Sequence, residues 1–110
     1  MAERDISSGA WTANQSNNWG ARFNLDQTDS GQLSGDATAF PLGGGDQMFG
    51  TVDSAGSLVR GNIVQIVVDW NQGSRGKYVG SFDLSGRLFG NSFDLANPSS
   101  QATWFSDKLF

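Results

Sequence analysis

The apolar residues of this chain alternate instead of recurring at helical spacing. Val64, Ile66, Val68 and Trp70 occupy every second position of one run, so in a strand they share a face; Ile63 and Val67 lie opposite, with Gln65 and Asp69. Five β-branched residues in six positions, interrupted by Gln65, make this the strongest strand signal in the chain. Asn71-Gln72-Gly73-Ser74-Arg75-Gly76 is too polar and too rich in glycine to extend it. Tyr78, Gly80 and Phe82 alternate again beyond, so residues 58–83 predict a β-hairpin.

The same grammar runs through the rest. Ala10–Ala13 around Trp11 predicts a short strand. Trp19, Ala21, Phe23 and Leu25 alternate with Gly20, Arg22, Asn24 and Asp26, the pattern of a half-buried antiparallel strand. Gln32–Phe40, Met48–Asp53, Arg87–Asp94 and Ala102–Leu109 predict further strands. Turns are expected at Asn14–Asn18, Thr28–Gly31, Pro41–Asp46, Ser54–Gly56, Leu84–Gly86 and Leu95–Gln101. No segment has a helical period.

Three segments also repeat: Ser30-Gly31-Gln32-Leu33-Ser34-Gly35-Asp36, Ala55-Gly56-Ser57-Leu58-Val59-Arg60-Gly61-Asn62 and Ser85-Gly86-Arg87-Leu88-Phe89-Gly90-Asn91. Each reads as a hairpin turn, an inward leucine and a bend glycine. Hairpins in series build a meander, and about eight strands suit a barrel whose interior is filled or holds one small ligand. The expected fold is all-β: an eight-stranded antiparallel up-and-down (meander) β-barrel over residues 8–110, preceded by a polar N-terminal tail, residues 1–7.

Composition narrows the chemistry. The 110 residues are 37% hydrophobic and 12% aromatic, so one modest core must be built from few, large side chains. Cysteine is absent, which removes disulfides and thiolate chemistry. Histidine is absent too, and with it the usual general base, zinc ligand and pH switch. The net charge of −4 comes without a basic patch, so nucleic acid is not an expected partner. No apolar run reaches the length of a membrane-spanning helix, so no membrane partner is expected. The N-terminus has no signal-peptide core, which leaves the compartment open: cytoplasmic as written, or secreted with a leader removed. Gly43-Gly44-Gly45-Asp46 lacks the lysine and helix of a phosphate loop and reads as a flexible connection. Asp36, Asp69, Asp83 and Asp94 are the candidates for an acid–base pair, against their ordinary use as solvated strand-end residues. With no metal-ligand spacing, neither metal nor cofactor is expected. A non-enzyme is the expectation, and the enzymatic alternative is a small barrel cyclase or isomerase acting by shape.

Binding chemistry is better represented. Asn14–Trp19, Asn71–Tyr78 and Asn91–Asn97 set aromatic rings beside amides, the composition of sugar-binding surfaces, where ring faces meet C–H groups and amides meet hydroxyls. In a meander the first, third, fifth and seventh connections share an end. These are the long polar ones, Asn14–Asn18, Pro41–Gln47, Asn71–Gly76 and Leu95–Gln101, whereas the tight glycine turns suit a closed end. The expected ligand-binding residues at the open end are Asn14, Ser16, Asn18, Trp19, Trp70, Asn71, Asn97 and Trp104, with Asp36 and Tyr78 nearby on their strands. Trp11, Trp70 and Trp104 fit a core role as well. Ile63 and Val67, with Val79, mark an outward β-branched face and predict a homo-oligomer, dimer or tetramer. The expected function is a non-enzymatic ligand-binding barrel for a small molecule or carbohydrate, lectin-like.

Gly9-Ala10-Trp11, Val68-Asp69-Trp70, Tyr78-Val79-Gly80 and Ala102-Thr103-Trp104-Phe105-Ser106, in that order and spacing over about residues 8–107, resemble the avidin/streptavidin family of eight-stranded barrels. The resemblance implies biotin binding as an alternative function. Under it Asn14 and Ser16 correspond to a first-loop ligand pair, and Trp70 and Trp104 to tryptophan walls. Tyr78 and Phe93 stand where other members have tryptophan, which adds Phe93 to the candidate site. The family's strand-three tyrosine falls on Asp36, and its final aspartate falls at or beyond Phe110. What the resemblance implies is the same architecture around a different, more polar pocket.

Overall fold

The computed structural model describes residues 3–110. Its strands are β1 (Trp11–Gln15), β2 (Trp19–Gln27), β3 (Leu33–Pro41), β4 (Met48–Val52), β5 (Leu58–Arg60), β6 (Ile63–Trp70), β7 (Arg75–Phe82), β8 (Arg87–Asp94) and β9 (Asn97–Leu109). Every pairing is antiparallel. β1 pairs with β9 through Ala13–Ser106, Asn14–Phe105 and Gln15–Trp104, and β4 pairs with β6 as well as β3, so the sheet closes on itself. β4 and β5 lie end to end between β3 and β6. Val52 pairs with Gly35 and Val68, and Leu58 with Gln32 and Gln65. They are two halves of one stave, and the result is the closed eight-stranded antiparallel up-and-down barrel that the alternation predicts.

Several boundaries differ from the sequence reading. Ser54-Ala55-Gly56 does not reverse the chain. A turn does form there, the Gly56 N–H donating to the Asp53 carbonyl at 3.1 Å, but the flanking strands stay in line. The residues from Asp53 to Ser57 are an insertion in a strand, a large bulge. Its ladder is repaired by Ser57: the Val67 N–H donates to Ser57 Oγ at 2.9 Å, and the Asp53 N–H donates to the Val67 carbonyl at 2.8 Å. Reversal comes at Gly61-Asn62, where Gly61 takes a φ of 58° that costs a glycine little. The middle copy of the repeat therefore breaks the pattern: Leu58 is half-buried and Val59 points inward. At the other end of the chain, Leu95–Ala96 alone makes the last turn. Asn97–Gln101, expected as a loop, opens β9, with a register shift that leaves Pro98–Ser100 bulged.

The interior follows the alternation. Val64, Ile66 and Val68 are fully buried, as are Phe23, Leu33, Val59 and Leu88. Residues 3–10 pack against the end carrying the tight turns. Ile6 is wholly buried, its carbonyl accepts the Trp11 indole N–H at 3.0 Å, and its own N–H donates to Gln27 Oε1. Phe110 sits edge-on to both Trp11 and Phe82. From this stopper an aromatic column rises through Trp11, Phe23, Tyr78 and Trp104, with ring centroids 4.9 to 6.2 Å apart. Val67, placed on the outward face by its parity, is nonetheless buried, because the bulge at Gly56 lies over it.

Candidate functional site

The column stops short of the opposite end. Above it lies a cavity of about 280 Å³, open between the turns that follow β1, β6 and β8. Its floor is polar and uncharged: Gln15, Tyr78 and Ser92, which point inward from β1, β7 and β8. Ser92 Oγ donates to Gln15 Oε1 at 2.8 Å, which leaves the Gln15 amide hydrogens for Tyr78 or a guest. Tyr78 is buried, and that burial pushes its pKa up, with the Gln15 amide offsetting a smaller part. It remains a neutral phenol across the physiological range.

Trp70 forms one wall. Gly76 faces it, and a methyl group there would stand 3.1 Å from the indole nitrogen, so the glycine makes room for the ring. Two other inward indoles spend their N–H groups on backbone, Trp11 on Ile6 and Trp104 on the Asn91 carbonyl. Met48 and Ala102 complete the apolar lining. At the rim stand Asn17, Asp94 and Arg75. Arg75 is turned away from a guest by two ion pairs, to Asp69 and Asp53 at 2.5 Å, which push its pKa up, Asp69 foremost. Among the described residues the cavity thus offers a flat indole, neutral donors and acceptors, the Asp94 carboxylate at its rim and no free cation.

The residues expected at the site are distributed over three places. Trp70 and Tyr78 line the cavity, and Trp104 lies beneath it in the column, stacked on Trp11. Trp19 points inward at the start of β2 and packs against the core. Asn18 and Ser16 serve the first turn: Asn18 has a φ of 65°, and the Ser16 hydroxyl accepts the Thr103 N–H. Asn97 is exposed at the last turn, its Oδ1 accepting from Ser99. Asn14, Asp36, Asn71 and Phe93 are outside or at the margin. Asn14 faces outward beside Phe105, and Asp36 and Asn71 share an outer groove with Phe49. Phe93 is half-buried with outward parity and borders both the cavity and the outer surface. The four candidate acid–base carboxylates are dispersed. Asp36 and Asp69 face outward and Asp94 is at the rim. Asp83 caps a turn, where hydrogen bonds from Ser85 foremost hold its pKa low. Among the described residues no group of three metal-ligating side chains comes together.

Sequence reasoning missed Gln15 and Ser92. The signal was present in parity: Gln15 continues the series Trp11, Ala13, and Ser92 continues Leu88, Gly90.

Fold and cavity together define a small closed β-barrel, stoppered at one end and hollow at the other. No protein-family model matches the chain, and no curated protein or solved structure matches it either.

Proposed function

We propose that the protein is a non-enzymatic binding barrel that takes a small, neutral, polar ligand into the open end, a carbohydrate being the best-fitting class. One observation carries this reading: an indole wall, Trp70, stands beside an uncharged hydrogen-bonding floor of Gln15, Ser92 and Tyr78. An indole face suits the C–H side of a pyranose, and the amide and hydroxyls suit its hydroxyl groups. A volume of about 280 Å³ fits one sugar ring rather than a chain. Arg75, the cation among the described lining residues, is engaged by Asp69 and Asp53, which favours a neutral guest over an acidic one.

The second reading, biotin binding by an avidin relative, draws on the same cavity and on Trp70 and Trp104. It is the weaker of the two, because Asp36, at the position of the family's ligand tyrosine, faces outward. A glycan array followed by tryptophan-fluorescence titration with sugars and with biotin separates them. Saturable quenching by a sugar, lost in Trp70→Ala and weakened ten- to a hundredfold in Gln15→Ala (on the order of 1–3 kcal/mol for a lost buried partner), supports the carbohydrate reading. Saturation by biotin alone replaces it with the second. Silence with both, in a folded protein, rejects both.

A further inference from the structure

The charge around the open end is not balanced. Asp94 continues the inward series Leu88, Gly90 and Ser92 of β8 and lines the mouth of the cavity, half-buried. One carboxylate oxygen accepts the Ala96 N–H at 2.8 Å. Among the described residues no other hydrogen-bond donor and no cation meets that carboxylate. Arg75 does not neutralise it, since its guanidinium is held between Asp53 and Asp69. That cluster sets one positive charge against two negative ones and keeps a negative surplus. Lys77, the next cation along β7, has outward parity. Asn17, Ser74 and Gln101, also at the mouth, are uncharged.

The carboxylate also lies beside the indole wall. Gly76 is the partner of Asp94 in the β7–β8 ladder, and the Trp70 indole nitrogen lies over that same glycine. A carboxylate next to an indole is a pairing that holds an ammonium group: the carboxylate accepts its N–H bonds, and the ring face attracts its charge. Depth matters as much as composition. On the neutral floor an ammonium would lose its water and find no counter-charge, whereas at the half-buried mouth it keeps part of its hydration and meets Asp94. Ser92 and Asp94 are two residues apart on one strand, roughly 7 Å, which one sugar ring with its substituents spans.

We infer that the preferred guest is an amino sugar with a free amine, its ring hydroxyls meeting Gln15, Ser92 and Tyr78 and its ammonium group lying at the mouth between Asp94 and Trp70. The inference rests on the carbohydrate reading above and adds to the neutral ring a single cationic substituent. Asp94 becomes the residue that sets specificity, a role apart from the acid–base pairing considered for it from the sequence.

Tryptophan-fluorescence titration of the full chain at about pH 6, where amines carry their proton, tests it. The probes are glucosamine, galactosamine and mannosamine, each against its N-acetyl form and its parent hexose. One of the amines is expected to bind on the order of tenfold more tightly than both counterparts, and the preference to shrink in high salt. Asp94→Asn, whose amide oxygen still accepts the Ala96 N–H, is expected to abolish the preference. Asp26→Asn, the same loss of charge on the outward side of β2, is expected to keep it. Equal binding of amine and parent hexose, or a preference that survives Asp94→Asn, overturns the inference and leaves the carbohydrate reading standing. A stronger response to butylammonium, which has the charge and no hydroxyls, overturns it as well, because the polar floor is then unused. If none of the sugars binds to the folded protein, the inference and the carbohydrate reading fall together.

Discussion

Alkaline pH probes the cavity floor directly. Tyr78 is the only tyrosine in the sequence, so tyrosinate absorbance reports one residue. Burial raises its pKa above the usual value near 10, Gln15 offsetting a smaller part. In the unfolded chain it ionises at about 10. Above that pH the unfolded state has lost a proton that the native state keeps, and stability falls as pH rises. The contribution is fully present below the unfolded pKa and is lost progressively up to the folded one, at about 1.4 kcal/mol per pH unit. One unit above pH 10 the loss is thus about 1.4 kcal/mol, a visible fraction of the roughly 5–15 kcal/mol that holds a domain together. Urea unfolding of the wild type and of Tyr78→Phe, from neutral pH upwards, isolates the effect. Every other group is common to the two proteins and cancels in the difference. Tyr78→Phe is expected to lack the extra slope, and folded wild type to resist tyrosinate formation until it unfolds. A folded-state absorbance midpoint near 10, or parallel loss of stability in the two proteins, refutes the buried floor.

Other substitutions test the frame around it. Ser57→Ala removes the acceptor of the buried Val67 N–H and is expected to cost about 1–3 kcal/mol in chemical denaturation, whereas Ser85→Ala, in an exposed turn, leaves the midpoint within about 0.5 kcal/mol. Gly90→Ala drives a methyl group into the Val79 carbonyl and within 2.6 Å of Gly80 Cα, so the β7–β8 ladder must part; the expected result is a protein recovered insoluble or without a cooperative thermal transition. Gly76→Ala crowds the Trp70 indole at 3.1 Å and is expected to shift tryptophan emission and weaken sugar binding while the denaturation midpoint moves little.

The fold was largely legible because strand parity is a local property. Val64, Ile66, Val68 and Trp70 alternate in the sequence and all point inward in the barrel, and so do Trp19, Ala21, Phe23 and Leu25. What parity cannot encode is register between strands. Ser54-Ala55-Gly56 has the composition of a turn and forms one, yet the strand resumes beyond it because β3 and β6 hold both halves. The same limit hid the covering of Val67, which depends on Gly56, eleven residues earlier, folding back over it. At the site, amide-rich loops drew the choice of Asn14, Asn18 and Asn97, whereas the cavity floor is set by strand residues, Gln15 and Ser92. Asn18 is spent on its own turn, as turn asparagines often are.

The pairing of β1 with β9 also has a temporal side. Ala13 finds Ser106 only after every stave between them has been made. While a ribosome still holds the last stave, β1 and β8 are both bare edges, and a bare edge will pair with any strand that reaches it. The molecule that ends with no sheet edge must therefore pass through an interval with two. Non-local closure of this kind is slow, on the order of milliseconds to seconds in small β-proteins. The yield of soluble protein should thus depend on how quickly β9 is delivered: slow translation of the β9 codons prolongs the exposed interval, and fast translation shortens it.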